Sequence, residues 1–279
     1  MNQANIPLSA QGEMLAQLQA AAKEVTSYLH LAETESTNDV VRDMARRQVP
    51  EIAVVVADAQ TRGRGRLGRR WISQPGTGLW VSLLVRPGTA HRISGTLSLA
   101  AALATKEAIG SLCGLTNLQL KWPNDVVADS GKLAGILVEG GGATALNWAA
   151  VGIGINVTKP PELAALNRPV VALNELSPTP VGRSQLLIRL VGAFGRFYRI
   201  FQEDPRKIVA EFSRHCATLG QEVTWQVRDQ DGTSRRGQAV GIDDTGALLV
   251  RPQGTDRLTA LTAAEISLGT LSDGAGRQE

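Results

Sequence analysis

Glycine and arginine alternate in residues 63–68, which read GRGRLG. Glycine lets the backbone approach a ligand closely, and the guanidinium groups of Arg64 and Arg66 match the oxygens of carboxylates and phosphates. The pattern predicts an anion-binding loop, although it lacks the Gly-Lys-Ser/Thr of a P-loop and the acidic residue of a dinucleotide fingerprint. A basic surface loop and an RNA contact are the alternatives, but an aromatic content of 4% leaves few rings for base stacking.

Two further segments carry residues that can do chemistry. Residues 121–125 (KWPND) precede Lys132, which stands in GKLAG at 131–135. A turn is the structural alternative for KWPND, because Asn and Asp bond their own backbone, and a solvent-exposed side chain is the alternative for Lys132. In residues 151–156 (VGIGIN), Gly152 and Gly154 interrupt an apolar run. Glycine there indicates either close approach by another group or tight sheet packing.

Composition and charge exclude several classes of protein. The chain has 279 residues, of which 43% are apolar, and no apolar stretch is long enough for a membrane span. Its formal net charge is +3, and residues 62–70 hold five arginines and no acid, so the other 270 residues carry −2. This local basicity argues against a nucleic-acid-binding surface. Two cysteines and three histidines have no spacing of a zinc site or a disulfide framework, which favours reduced thiols in a cytoplasmic protein without a signal peptide.

Hydrophobic periodicity predicts the elements that position these residues. Residues 34–38 (TESTN) are expected to precede a helix at 39–47, which Ser36 or Thr37 would cap. A buried helix is predicted at 97–109, a helix capped by Ser184 follows, and Asp204 opens another. From about residue 220 the pattern alternates, with turns at 231–232 and 245–246, which predicts a small β domain. The predicted strands are 52–57, 79–85, 118–121, 133–139, 148–157, 237–242, 247–250 and 258–261.

Taken in order, ESTN, QTRGRGRLGRRW, KWPND with GKLAGILVE, and GIGIN resemble the biotin protein ligases, from about residue 31 to 268. The resemblance is to the short form without an N-terminal DNA-binding domain. It implies an α+β fold: a mixed β-sheet with packed helices, related to class II aminoacyl-tRNA synthetases, followed by an SH3-like β-barrel. We therefore expect an N-terminal extension at 1–30, a catalytic domain at 31–218 and a C-terminal domain at 219–279. The extension carries no part of the resemblance and is expected to be too short for a helix-turn-helix domain.

The resemblance also implies a two-step reaction. Biotin is activated with ATP and Mg²⁺ as biotinyl-5′-AMP, and the biotinyl group is then transferred to a lysine of the biotin carboxyl carrier protein of acetyl-CoA carboxylase or a related carboxylase. No DNA and no membrane are expected as partners, and a homodimer is left open.

The family's site residues map onto three sets in this sequence. Lys132, Arg66 and Asp125 are the expected catalytic residues, with Asp125 positioning the incoming lysine or assisting Mg²⁺; no residue is assigned as a metal ligand. Trp71 and Asn156 are expected near the adenine. The expected biotin contacts are Ser36, Thr37, Asn38, Gln60, Gly63, Arg64, Gly65, Arg66 and Lys132. The expected ATP contacts are Arg64, Arg66, Arg69, Trp71, Lys121, Asn124, Lys132, Gly154 and Asn156.

A lipoate- or octanoate-protein ligase is the nearest alternative, and the polar set at 36–38 together with the intact GRGR loop favours biotin. A catalytically silent biotin-binding scaffold is a further alternative. Two positions depart from the family pattern: Arg62 replaces a small residue and Leu67 replaces an arginine found in some members.

Overall fold

A computed structural model describes residues 8–87, 94–129, 131–141, 147–164, 169–226, 234–262 and 266–268. The predicted turn at 231–232 lies outside these residues. Among the described helices, none combines the length and the apolar character that a membrane crossing requires.

A seven-stranded mixed sheet forms the first part of the chain. Its strand order is β1-β2-β3-β7-β6-β5-β4, in which β1 and β2 are parallel and every other neighbouring pair is antiparallel. The strands are β1 (Ser27–Thr34), β2 (Ala53–Gln60), β3 (Gly78–Val85), β4 (Gln119–Lys121), β5 (Asp125–Ala128), β6 (Gly131–Gly141) and β7 (Trp148–Asn156).

Helices cover both faces of this sheet. The larger core lies between the sheet and α3 and α6, whose apolar side chains are buried against those of the strands. The other face carries α2 and a smaller core that includes Val41, Val55 and Leu84. The helices are α1 (Leu8–Ala21), α2 (Thr37–Arg46), α3 (Ser94–Cys113), α4 (Pro161–Ala164), α5 (Leu173–Leu176), α6 (Arg183–Glu203) and α7 (Pro205–Arg214).

A five-stranded antiparallel sheet in the order β11-β10-β9-β8-β12 forms the C-terminal part. Its strands are β8 (Glu222–Gln226), β9 (Ser234–Ile242), β10 (Leu248–Pro252), β11 (Thr259–Leu261) and β12 (Ile266–Leu268). The two parts meet at Trp122, which is 1% exposed and donates its indole N–H to the carbonyl of Gly246 at 2.9 Å. The tryptophan of KWPND therefore fastens the C-terminal sheet to the larger one.

Three details differ from the sequence-based predictions. Residues 27–30 belong to β1 of the large sheet, and the expected extension at 1–30 therefore contributes to that sheet. The helix predicted to start at Ser184 has Gly182 at its N-cap, so Ser184 lies inside its first turn. The turn expected at residues 122–125 covers 122–124 only, and Asp125 is already the first residue of β5, where it pairs with Lys121. Asp204 is confirmed as a cap, since its side chain accepts the backbone N–H of Arg206.

Candidate active site

The N-terminus of α2 is joined to the sheet by a chain of uncharged polar side chains. Thr37 donates its backbone N–H to Gln60 Oε1 at 2.9 Å, and Gln60 Nε2 donates to Ser73 Oγ at 2.8 Å. Ser82 Oγ, in β3, lies 2.6 Å from both Thr37 Oγ1 and Asn38 Oδ1. Ser36 occupies the N-cap position without forming a side-chain cap hydrogen bond. The Ser36 side chain therefore does not perform the helix capping that was the alternative to its expected contact with biotin.

Asn38 is held on three sides. Its amide Nδ2 donates to Glu139 Oε2 at 2.7 Å and to the carbonyl of Leu137 at 3.3 Å. A Cβ placed on Gly152 would lie 2.5 Å from Asn38 Oδ1, so only glycine leaves room for this side chain. The close approach expected at the first glycine of GIGIN is therefore made by Asn38, which fixes α2 to β6 and β7.

Acids from distant segments neutralise part of the arginine loop. Arg64 forms a two-pronged ion pair with Asp39 in the first turn of α2, at 2.7 and 2.8 Å, and Arg64 Nη2 also lies 3.1 Å from Glu139 Oε2. Paired N–H···O bonds of this kind fix both distance and orientation. Arg62 pairs with Glu35 at 3.3 Å, but both side chains are more than half exposed, so that contact contributes little.

The backbone of the loop folds back on itself. Trp71 donates its N–H to the carbonyl of Gly63 at 2.8 Å, and Gly65 donates to the carbonyl of Arg69 at 2.7 Å. A Cβ on Gly63 would lie 2.4 Å from the carbonyl oxygen of Trp71, so this glycine is sterically required. The short 3₁₀ helix Arg66–Gly68 follows, in which Leu67 adopts a positive φ of 57° and is 54% exposed. The loop thus presents its arginines on a defined backbone.

Lys132 faces the α2 side of the sheet, as Gly135 does, because β6 contains a bulge. The register between β5 and β6 shifts opposite residues 132–134, and Leu133 and Ala134 both pack into the larger core although they are consecutive. A bulge of this kind turns the neighbouring side chains to the other face. Lys132 Nζ consequently lies 2.5 Å from Asp125 Oδ1, with both side chains at most 20% exposed. The solvent-exposed alternative for Lys132 is wrong.

Trp71 lies on a platform of two glycines that pair across β6 and β7. Cβ atoms on Gly135 and Gly154 would lie 2.9 and 2.7 Å from its indole. The Lys132 ammonium stands 5.2 Å from the centroid of the same ring, which is within the range of cation–π attraction. Trp80 meets the indole edge to face, with centroids 6.4 Å apart. The close approach expected at Gly154 is thus made here by Trp71.

The other expected nucleotide contacts occupy different surroundings. Arg66 Nη1 lies 3.5 Å from Asn124 Oδ1, while Asn124 Nδ2 donates to the carbonyl of Ile136 at 2.7 Å. Asn156 is 3% exposed, and its Nδ2 lies 3.2 Å from the carbonyl of Val171 and 3.4 Å from that of Lys132. The donors of Asn156 therefore hold the backbone beside Lys132. Lys121 is half-buried in β4, opposite Asp125, and Arg69 is exposed at the end of the loop.

The structure brings the start of α2, the arginine loop, Trp71 and Lys132 into one contiguous group on the α2 face of the sheet. Direct contacts link α2 to Arg64, Gly63 to Trp71, Trp71 to Lys132, and Arg66 to Asn124. Sequence reasoning missed Asp39, Ser82, Gly135 and Glu139. Ser82 alone had a local signal, since it is the one polar residue in the run LWVSLLV.

Within the described residues, no group of three or more His, Cys, Asp or Glu side chains is arranged to hold a metal ion. A Mg²⁺ ion that accompanies a nucleotide is held largely by phosphate oxygens and water, with one or two protein carboxylates. Asp125 would supply one such carboxylate to a cation that entered with a nucleotide, and its Oδ1 lies 2.5 Å from Lys132 Nζ.

Comparisons with known proteins identify relatives over both parts of the chain. Residues 31–156 match the biotin/lipoate A/B protein ligase family, and residues 218–269 match the biotin protein ligase C-terminal domain. The biotin--[acetyl-CoA-carboxylase] ligase of Paracoccus denitrificans is 34% identical over 86% of this chain and 99% of its own length. The bifunctional ligase/repressor BirA of Bacillus spizizenii is 33% identical over 84% of this chain and 71% of its own length.

Solved structures agree with these relatives. The biotin protein ligase of Aquifex aeolicus in complex with biotin and ATP is 27% identical and superimposes with a TM-score of 0.72, over 88% of this chain and 100% of that one. The arginine loop, the polar residues at the start of α2 and the Lys132–Trp71 group therefore lie on the scaffold of known ligases. This chain belongs to the biotin protein ligase family.

Proposed function

We propose that this chain activates biotin with ATP as biotinyl-5′-AMP and transfers the biotinyl group to a lysine of a biotin carboxyl carrier domain. One observation carries the proposal: in a member of this family, α2, the arginine loop and the Lys132–Trp71 group are joined by direct contacts on one face of the sheet. Two anions must meet in the first step, and this face supplies the cations between them.

The first step joins a carboxylate to a phosphate. A biotin carboxylate oxygen attacks the α-phosphorus of ATP, the bond from that phosphorus to the bridging oxygen breaks, and pyrophosphate leaves with the electron pair. Arg64, Arg66 and Lys132 reduce the repulsion between the two anions, and Lys132 stabilises the charge that builds on the phosphoryl oxygens. Fixed donors of this kind act strongly because they need no reorganisation during the reaction.

The second step forms an amide. The acceptor lysine amine attacks the carbonyl carbon of the mixed anhydride, the bond to the phosphate oxygen breaks, and AMP leaves as the amine loses a proton. A free lysine amine has a pKa of about 10.4, so it must lose a proton near neutral pH. Asp125 is our candidate for positioning this amine, and it holds Lys132 in place at 2.5 Å.

Substrate roles follow from the surroundings of each residue. Ser36, Thr37, Gln60 and the Gly63 and Gly65 backbone are proposed to receive the uncharged ureido ring and the carboxylate of biotin. Trp71, which packs on Gly154, is proposed to border the adenine, with Arg69, Lys121 and Asn124 on the phosphate side. The amides of Asn38, Gln60 and Asn156 also contact protein groups, so these three residues are proposed to fix the site as well as to border substrate. Asp125, which pairs with Lys132, is proposed to contribute its carboxylate to a Mg²⁺ ion that would enter with ATP.

The finer features of the fold and of the partners belong to the same proposal. The small antiparallel sheet is proposed to be an SH3-like barrel and the large sheet to share the class II synthetase architecture. The proposed acceptor is the carrier domain of acetyl-CoA carboxylase or a related carboxylase, and the choice between a monomer and a homodimer stays open.

Pyrophosphate exchange tests the proposal. The protein is incubated with ATP, Mg²⁺ and labelled pyrophosphate, with biotin or lipoate as the acid. Exchange stimulated by biotin and not by lipoate is expected. Exchange stimulated by lipoate alone would identify a lipoate ligase, and biotin binding without exchange would identify a silent scaffold.

A further inference from the structure

Glu139 touches both elements that carry the proposed substrates. It lies near the end of β6, opposite Ala150 of β7, on the face that carries α2. Its Oε2 accepts from Asn38 Nδ2 at 2.7 Å and lies 3.1 Å from Arg64 Nη2. One carboxylate oxygen therefore joins the start of α2 to the arginine loop.

The contact with Asn38 determines how that amide is turned. Both of its N–H donors are directed at β6, to Glu139 and to the carbonyl of Leu137, so its oxygen faces Ser82. Asn38 adjoins Thr37, whose backbone N–H and hydroxyl contact Gln60. A substitution at Glu139 therefore affects the hydrogen-bonded polar side chains at the start of α2.

The contact with Arg64 is of a different kind. Arg64 has a stronger partner in Asp39, which it meets with two nitrogens, so loss of Glu139 leaves the ion pair to α2 in place. Glu139 adds the link from Arg64 to the sheet. The side chains of Arg64 and Glu139 are only 32% and 35% exposed, so this link is partly shielded from solvent.

We propose that Glu139 is a positioning residue that couples occupation of the biotin site to the placement of Arg64. This inference rests on the proposed function. A ligand that seats against the start of α2 fixes Asn38 and, through Glu139, holds the arginine loop against the sheet in the arrangement that adenylation needs. Glu139 contacts neither the nucleotide nor biotin in this scheme.

The test compares Glu139→Gln with Glu35→Gln. Both variants remove one negative charge next to an arginine of the same loop, but Glu35 meets Arg62 on an exposed surface. The readouts are KM for biotin, KM for ATP, and the protection that biotin gives to the Arg62–Arg70 segment against trypsin. Glu139→Gln is expected to raise KM for biotin about tenfold, the order expected for one hydrogen bond to a charged group. It should also abolish the protection at saturating biotin, whereas Glu35→Gln should match the wild type in all three.

A third variant separates coupling from stability. Glu139→Asp keeps the charge, so protection should be retained at least in part. Unchanged KM and unchanged protection in Glu139→Gln would overturn the proposal, and so would equal losses in the Gln and Asp variants that follow a lowered melting temperature. A wild type that shows no biotin-dependent pyrophosphate exchange would instead contradict the proposed function itself.

Discussion

Lys132 Nζ and Asp125 Oδ1 lie 2.5 Å apart, on two antiparallel strands whose register shifts at that point. The pair depends on a bulge, since a regular β6 would direct Lys132 to the opposite face from Gly135. The ammonium then stands beside the Trp71 ring. The Lys132 ammonium, which acts in the proposed first step, is therefore positioned by the bulge in β6 as well as by the carboxylate of Asp125.

Replacing Lys132 tests this arrangement. Lys132→Ala should lower the rate of biotin-dependent pyrophosphate exchange about 10²–10³-fold, because a fixed donor to the developing charge is lost. Its melting temperature should stay close to that of the wild type. Lys159→Ala is the matched control, because Lys159 pairs with Glu175 on the surface at 3.7 Å. Equal exchange by the Lys132 variant and the wild type would remove Lys132 from the mechanism.

A methyl group at Gly154 tests the platform under Trp71. In Gly154→Ala the new Cβ would lie 2.7 Å from the indole, so the ring must move. Overpacking costs about 1–3 kcal/mol, and we expect KM for ATP to rise about tenfold while the dissociation constant for biotin alone is unchanged. Gly241→Ala is the control, since its Cβ would meet only Leu249, at 3.8 Å. An unchanged KM for ATP would separate Trp71 from the nucleotide.

Arg66 is expected to retain the activated intermediate. Arg66→Gly should release biotinyl-5′-AMP faster and label an unrelated lysine-rich protein, which blotting with streptavidin detects. Arg62→Ala removes a charge from the same loop at an exposed position and should leave labelling confined to the carrier. If the Arg66 variant also labels only the carrier, retention depends on other residues.

The two tyrosines of the chain predict how stability changes in alkali. Burial, with the charge of Asp58 nearby, raises the pKa of Tyr28 to about 12, and burial together with Glu51 raises the pKa of Tyr198. The unfolded chain ionises both phenols at a pKa of about 10. The contribution of Tyr28 to stability is therefore complete below pH 10 and is lost as the pH rises through about 12, and that of Tyr198 is likewise lost above the ordinary pKa of tyrosine.

Ultraviolet titration measures this effect directly. Between about pH 10 and pH 12, the pKa values of an unfolded tyrosine and of folded Tyr28, the folded protein should show little tyrosinate absorbance. Unfolding in denaturant at the same pH should make this absorbance appear. A full tyrosinate signal in folded protein at the ordinary pKa would contradict the assigned burial of both rings.

Local sequence signals predicted most of the elements and the loop. Alternation and apolar runs identified most of the strands but not β1, β5 or β12, and α2 begins at Thr37, within two residues of its predicted start at residue 39. Gly63 and Gly154 could be recognised because a glycine in a loop or strand indicates that another group closely approaches the backbone there. Asp204 could be recognised as a helix N-cap because an aspartate followed by a proline is a local sequence pattern.

The rest depended on contacts between distant residues. The partners of Arg64 lie 25 and 75 residues away, so the charge of the arginine loop looked unbalanced in the sequence although Asp39 and Glu139 offset it. The bulge that turns Lys132 has no local signal, because Leu133 and Ala134 are apolar in either register. Ser184 was favoured as a cap by residue type, yet the helix begins earlier, after Gly182.

The most direct test of the proposed function is the mass of a recombinant carrier domain after incubation with this protein, biotin, ATP and Mg²⁺. We predict that the carrier gains the mass of one biotinyl group, that the gain requires both biotin and ATP, and that a carrier with arginine in place of its acceptor lysine gains nothing. An unchanged carrier, with no AMP or pyrophosphate released, would contradict the proposed biotin ligase activity.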